Sequence, residues 1–133
     1  MDYLATHPNA MLQYYESAMV LNIHSDASYA SERGAKSRAA GHYFIGWVPL
    51  NNEPIRLNGG IYTLCNIMKF VASSATEAEL GALSMNAKEG RIIKLTLKEL
   101  GHPQPPTPIH LLCPMPLRCC NAWGLVVWGG PFY

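Results

Sequence analysis

Short runs of branched apolar residues alternate with turn-rich segments over the first half of the chain, a pattern that predicts strands. "AMVLNIHSD" at residues 18–26 predicts a first strand, "HYFIGWVPL" at residues 42–50 a second, and "IYTLCNIMKFVA" at residues 61–72 a third. The small, polar and basic segment at residues 31–41 predicts a loop between the first two. A short turn, "NNEPIRLNGG", precedes the third strand, so we expect the second and third strands to be antiparallel.

The spacing of apolar residues changes to about 3.6 at residues 73–101, which predicts one long amphipathic helix. Its apolar stripe comprises Leu80, Leu83, Ala87, Gly90, Ile93, Leu97 and Leu100. The start of the helix offers two capping boxes, Ser74 with Glu77 or Thr76 with Glu79, and a glycine follows its end.

A fourth buried strand, "IHLLC" at residues 109–113, follows the helix and a proline-rich linker. Because a helical crossover joins parallel strands, we expect this strand to lie parallel to the first. The remaining segment, residues 114–133, is apolar, contains Arg118 as its single charged residue, and has no helical periodicity. It resembles neither a solvated tail nor the continuation of a domain.

Composition narrows the class of protein without identifying it. A chain of 133 residues, 49% hydrophobic and 14% charged, suffices for one compact domain. No apolar run is long enough to cross a bilayer and the start does not resemble a secretory signal, so we expect no membrane association and an intracellular location. The net charge of +1 gives no general attraction to nucleic acid. The four cysteines lack zinc-ligand spacing, and ordinary thiols are the favoured interpretation.

Two separated motifs carry a specific resemblance. "HSDASYASERGAKSRAAGHYF" followed by "SSATEAELGALSMNAKEG" resembles the ribonuclease H domain of copia-type (Pseudoviridae-like) LTR retrotransposon Pol polyproteins. The family pattern is S-D-A-x-(W/Y) on the first strand and S-S-T-E-A-E-(Y/L)-x-A-L on the first helix. The resemblance implies an α/β ribonuclease H-like fold with a mixed sheet in β-β-β-α-β order. It also divides the chain into the end of a connection segment (1–17), a partial ribonuclease H-like domain (18–113) and an aberrant apolar tail (114–133).

The same resemblance implies a two-metal nuclease site. In the family, carboxylates from the first strand, the first helix and the fourth strand hold two Mg²⁺ or Mn²⁺ ions that hydrolyse RNA in RNA–DNA hybrids. Asp26 matches the first-strand carboxylate and Glu79 the helix carboxylate. Glu77 is the alternative helix ligand, although its position favours a first-turn role beside the helix dipole. The implied partners are an RNA–DNA hybrid and the reverse transcriptase portion of the same polyprotein.

Other polar residues near the motifs have less specific meanings. Ser28, Lys36 and Arg38 are candidate nucleic-acid contacts, although a solvated loop is the commoner meaning of such basic residues. The histidines lack ligand spacing and are expected to be packed or hydrogen-bonded; they are His24, His42 and His110.

The chain departs from the family pattern after Cys113. The family continues with C-D-N-x-(S/T)-A, whereas this chain reads "LLCPMPLRCC", so Pro114 stands where the third carboxylate belongs. Codons for Asn-Ala-Thr-Ala, read from their second base, can encode Met-Pro-Leu-Arg, the sequence of residues 115–118. A frameshift is therefore our hypothesis for the tail. It predicts the loss of the second helix and the fifth strand.

Three functions follow from these observations. The first is an RNA–DNA hybrid ribonuclease whose activity is impaired in this copy. The second is a catalytically dead retroelement fragment that acts at most as a structural or tethering module. The third is a general β/α interaction module in which Asp26 and Glu79 only cap local structure.

Overall fold

The computed structural model describes residues 5–48 and 56–111, and the backbone alone of residues 119–120 and 125–129. These residues form an α/β structure in which one long helix packs on a mixed sheet. The elements in chain order are β1 (Val20–Glu32), β2 (Lys36–Gly46), β3 (Gly60–Ile67), α1 (Ala75–Glu99), β4 (Thr107–Leu111), β5 (Cys119–Cys120) and β6 (Leu125–Gly129). Their order across the sheet is β3-β2-β1-β4-β6-β5.

The two predicted strand orientations are confirmed. β2 pairs antiparallel with β3, as its short connection requires. β4 pairs parallel with β1 after the α1 crossover, with Ile23 opposite Ile109. β1 and β2 form an antiparallel hairpin, in which Asp26 lies opposite Ala40. The α/β class and the mixed sheet are therefore as predicted.

The predicted loop at residues 31–41 is wrong. β1 continues to Glu32 and β2 begins at Lys36, so only a three-residue turn separates the two strands. This part of β2 contains small residues that resemble a loop in sequence, yet Ser37 and Ala39 are fully buried. A small side chain is needed at Ala39 because α1 packs against it, with Ala78 and Ala82 in the same core cluster.

Helix α1 begins and ends as its sequence predicts. Ser74 is the N-cap, and its hydroxyl accepts a hydrogen bond from the backbone N–H of Glu77. At the other end, Gly101 has a φ of +90°, and the backbone N–H groups of residues 101 and 102 donate to the carbonyls of Lys98 and Leu97. This pattern is a Schellman motif, which favours glycine because of the left-handed backbone.

The apolar stripe of the helix is only partly as predicted. Leu83, Ala87 and Ile93 pack against the core, and Gly90 and Leu97 are buried. Leu80 and Leu100 are instead exposed, at 51% and 69%. The fully buried face also includes three smaller residues that the stripe omitted: Ala78, Ala82 and Asn86. Small residues on this face let the helix lie close to β1 and β2.

The expected loss of a fifth strand is also wrong. The backbone of β6 pairs parallel with β4, and β5 pairs antiparallel with β6. The sheet therefore extends past β4 with backbone from the segment that we expected to be an aberrant tail. Cys113, Pro114 and residues 115–118 lie outside the described residues.

Candidate carboxylate site

Asp26 lies near the middle of β1, directly after the buried part of the strand. All the residues of β1 before it are buried except His24, which is half-buried, whereas Asp26 itself is exposed. Its Oδ1 accepts a hydrogen bond of 2.9 Å from the backbone N–H of Ala27. The carboxylate is therefore held locally and is still open to solvent.

Glu79 lies in the second turn of α1 and faces β1. Its carboxyl group is half-buried, and burial is the main reason why its pKa is raised. The negative charge of Asp26 raises this pKa further, whereas the N–H of Ala27 lowers it. Asp26 and Glu79, 53 positions apart in sequence, are thus close enough to repel each other.

The Oε2 atom of Glu79 is buried, and none of the described residues donates a hydrogen bond to it. Carboxylate oxygens in such surroundings normally have a donor or a cation beside them. The combination of a donor-free oxygen and a second carboxylate fits a divalent cation better than it fits a helix cap. Magnesium and manganese favour hard oxygen ligands of this kind.

Glu77 has a different role at the start of the helix. Its Oε2 accepts hydrogen bonds of 2.6 Å from both the hydroxyl and the backbone N–H of Ser73. These bonds hold the pKa of Glu77 below its usual range. Glu77 therefore completes the cap, although it reaches Ser73 rather than the N-cap residue Ser74. Of the two candidate glutamates at the start of the helix, Glu79 is the one that lies beside Asp26.

The described residues do not supply a complete two-metal cage. No group of three His, Cys, Asp or Glu side chains among them is placed to hold a metal ion. A divalent cation held by Asp26 and Glu79 alone would need water molecules as its remaining ligands, which Mg²⁺ commonly retains. Pro114, which stands at the position of the third family carboxylate, lies outside the described residues.

The candidate nucleic-acid contacts lie on the same hairpin as Asp26. Ser28 on β1 is opposite Arg38 on β2, and both Ser28 and Lys36 are exposed. Arg38 is engaged within the chain: its Nε donates to Oε1 of Glu32 at 2.7 Å, and its Nη1 lies 3.5 Å from Sγ of Cys65. Contact between Arg38 and a phosphate would compete with the Glu32 ion pair.

The three histidines that lacked ligand spacing are packed on the sheet face opposite α1. His24 lies opposite His42 on β2 and opposite His110 on β4. Its ring contacts those of Phe44 and His110, with centroids 5.3 and 5.2 Å away. These residues form a packed row across three strands, in agreement with the packed role expected from the sequence.

A depression with a volume of about 410 Å³ lies near the start of β1, away from Asp26. It is lined by Tyr15, Glu16, Trp47, Arg56 and Leu57. The guanidinium carbon of Arg56 lies 4.4 Å from the centroid of the Trp47 ring, so the two side chains stack on each other. This depression contains no carboxylate pair and is separate from the candidate site.

Sequence reasoning missed one residue that bonds to the strands next to Asp26. Asn86 is fully buried on α1, and its side chain bonds to β1 and β2 next to Asp26. The signal was a single polar residue on the buried helix face, seven positions after Glu79. Such a residue must find hydrogen-bond partners across the interface.

No helix within the described ranges has the length and apolar character needed to cross a membrane. Comparison of the chain with protein-family models, with curated proteins and with solved structures found no match.

Proposed function

We propose that this chain is a ribonuclease H-like domain of a copia-type retrotransposon polyprotein. In this copy, Asp26 and Glu79 form a divalent-cation site, and hydrolysis of RNA in RNA–DNA hybrids is impaired. The supporting observation is the position of Glu79: its carboxyl group lies beside Asp26 and has a buried oxygen without a donor among the described residues. The two motifs and the β-β-β-α-β order add support from the sequence and the fold.

The two carboxylates have distinct roles in this proposal. Asp26 is exposed and fixed by the N–H of Ala27, so it presents an oxygen to solvent without rearrangement. Glu79 is half-buried, and its pKa is raised first by burial of the carboxyl group and then by the negative charge of Asp26. A bound cation removes the repulsion between the two charges. In the family, Mg²⁺ or Mn²⁺ supplies an activated water and stabilises the leaving oxygen.

Impaired hydrolysis follows from the number of ligands. Two-metal hydrolysis requires several hard oxygen ligands that converge on two ions about 4 Å apart. Two carboxylates suffice for one weakly held ion, and the family's third carboxylate is replaced by Pro114 in the sequence. The second candidate function, a dead fragment with a structural or tethering role, is favoured by this same substitution.

Cation binding and cleavage have to be measured separately. Isothermal titration calorimetry with Mg²⁺ and Mn²⁺ should detect weak binding to the wild-type chain and a loss of binding in Asp26→Asn and Glu79→Gln. Glu77→Gln is the matched control on the same helix and should bind as the wild type does. Absence of binding by the wild type would refute the cation site and leave the dead fragment.

The nuclease assay uses a labelled RNA–DNA hybrid with either metal. We expect little or no cleavage above the Asp26→Asn background. Efficient cleavage that Asp26→Asn abolishes would show that the copy is an active ribonuclease, contrary to the impaired state proposed above. Cleavage that is equal in both chains would indicate contamination by another nuclease.

A further inference from the structure

Asn86 connects the helix to both central strands at the level of the candidate site. Its Nδ2 donates to the hydroxyl of Ser25 and to the backbone carbonyl of Ala40, each at 2.8 Å. Its Oδ1 accepts from the hydroxyl of Tyr43, also at 2.8 Å. Both side-chain donors and one acceptor site of the fully buried Asn86 are therefore used.

Two of these three partners adjoin Asp26 in the sheet. Ser25 immediately precedes Asp26 on β1, and Ala40 is the residue opposite Asp26 on β2. Gly41, the next residue on β2, makes room for the amide, because a Cβ atom there would overlap Oδ1 of Asn86. The amide thus joins α1 to the backbone segment that presents Asp26.

Glu79 precedes Asn86 by seven residues, which is two helical turns. Residues at this spacing share one face of a helix and lie about 10.5 Å apart along its axis. Apolar side chains alone tolerate small sliding and rotation of a helix on a sheet. Three directional hydrogen bonds at Asn86 do not, so they determine where the Glu79 side chain meets β1.

We propose that Asn86 is a positioning residue that sets the register of α1 on β1 and β2 and thereby holds the Glu79 carboxylate beside that of Asp26. Its importance for cation binding rests on the proposed function, whereas the positioning itself does not. The prediction is that loss of the amide separates the two carboxylates more than an equally destabilising change elsewhere on the helix does.

The test measures the electrostatic coupling between the two carboxylates. The pKa of Glu79 is measured by ¹³C NMR in the absence of divalent cations. Each background is measured twice, once with Asp26 and once with Asp26→Asn, and the difference is the Asp26-dependent shift. In the wild-type background, Asp26→Asn should lower the pKa of Glu79. In the Asn86→Leu background, most of this Asp26-dependent shift should be lost. Leu97→Ala is the control, because it removes a buried contact from α1 near the far end of the helix and should leave the shift intact.

Two outcomes would overturn the proposal. One is an Asp26-dependent shift that persists in Asn86→Leu, and the other is a shift that Leu97→Ala reduces equally. If Asn86→Leu does not fold, Ser25→Ala is used instead, because it removes one of the three hydrogen bonds of Asn86. It should reduce the Asp26-dependent shift in part. An unchanged shift in Ser25→Ala would contradict the proposal. A parallel Mg²⁺ titration separates the two hypotheses: no binding by the wild type refutes the proposed function and leaves the coupling result valid.

Discussion

The imidazole rings of His24 and His110 lie edge to face on the parallel strands β1 and β4, with their centroids 5.2 Å apart. Burial lowers the pKa of His110 to about 4, and the proximity of His24 contributes to this shift. The pKa of His24 is lowered too, first by burial and then by His42. Both rings are therefore neutral in the folded chain at physiological pH.

This row of histidines makes the chain sensitive to mild acid. Between the unfolded pKa of about 6.5 and the folded value of about 4, the unfolded chain binds more protons at His110 than the folded chain does. The free energy of unfolding should thus decrease as the pH falls through this range, by up to about 1.4 kcal/mol per pH unit for each titrating ring.

Denaturant unfolding between pH 8 and pH 4 measures this slope. His110→Gln removes one titrating group and should give a shallower slope, while the difference between the two chains at pH 8 reports the packing that the substitution loses. A slope identical to that of the wild type would show that His110 is protonated equally in both states.

The two glutamates at the start of α1 should respond to neutralisation in opposite directions. Glu79 has a raised pKa because of burial and Asp26, so above about pH 4.5 its ionisation lowers the stability of the fold. Glu79→Gln should therefore stabilise the metal-free chain at pH 7, by less than about 1 kcal/mol since water screens this half-exposed group. Glu77 has a lowered pKa because of Ser73, and Glu77→Gln should destabilise the chain at the same pH.

Thermal unfolding at pH 7 with and without Mg²⁺ measures both effects. Mg²⁺ should raise the midpoint of the wild type and of Glu77→Gln, but not that of Glu79→Gln, because a cation that binds only the folded state stabilises it. Stabilisation of all three chains to the same extent would show that the ion acts elsewhere.

The close contact between α1 and β1 at Gly90 can be tested with two substitutions, the second of which makes room for the first. A Cβ atom at Gly90 would overlap Cδ1 of Ile23, whereas its next neighbours, Cγ1 of Ile23 and Cε1 of Tyr43, are 3.8 and 3.9 Å away. Gly90→Ala should therefore destabilise the chain by about 1–3 kcal/mol through overpacking, despite the better helix propensity of alanine. Ile23→Val removes the clashing atom and alone costs about 0.5–1.5 kcal/mol.

The double variant Gly90→Ala/Ile23→Val should be more stable than the sum of the two single changes predicts, with a favourable coupling that is measurable by denaturant unfolding. The control combines Gly90→Ala with Leu64→Val. Leu64 on β3 is buried, and none of its atoms is among those nearest to a Cβ placed at Gly90. Additive free energies in both pairs would contradict the contact.

The sequence predicted the parts of the fold that depend on local pattern. Branched apolar runs indicated the sheet, and the 3.6-residue period together with Ser74 and Gly101 indicated α1. Asp26 and Glu79 were selected by motif, and the fold brings them together. The hairpin around residues 33–35 could not be predicted in the same way, since the burial of Ala39 depends on helix alanines that are distant in sequence.

Asn86 shows a second limit of sequence reasoning. Its partners are 61, 46 and 43 positions away, at Ser25, Ala40 and Tyr43. A buried amide is favourable only if all of these groups converge on it. The sequence therefore indicates a polar residue on the apolar face of the helix, but it does not indicate which strands this residue joins.

Two capping boxes were possible at the start of α1, and the structure selects Ser74. Its Oγ accepts from the N–H of Glu77 at 3.2 Å, and the preceding residue supplies the donors for the Glu77 carboxylate. Ser74→Ala should cost about 1 kcal/mol in the free energy of unfolding, because an N–H at the helix end loses its acceptor. Ser74→Asp keeps an acceptor and should cost much less.

Thr76→Ala lies inside the exposed first turn and should change stability by less than about 0.5 kcal/mol. A larger loss for Thr76→Ala than for Ser74→Ala, measured by denaturant unfolding, would instead place the cap at Thr76 and make Glu79 part of it, removing that carboxylate from the site beside Asp26.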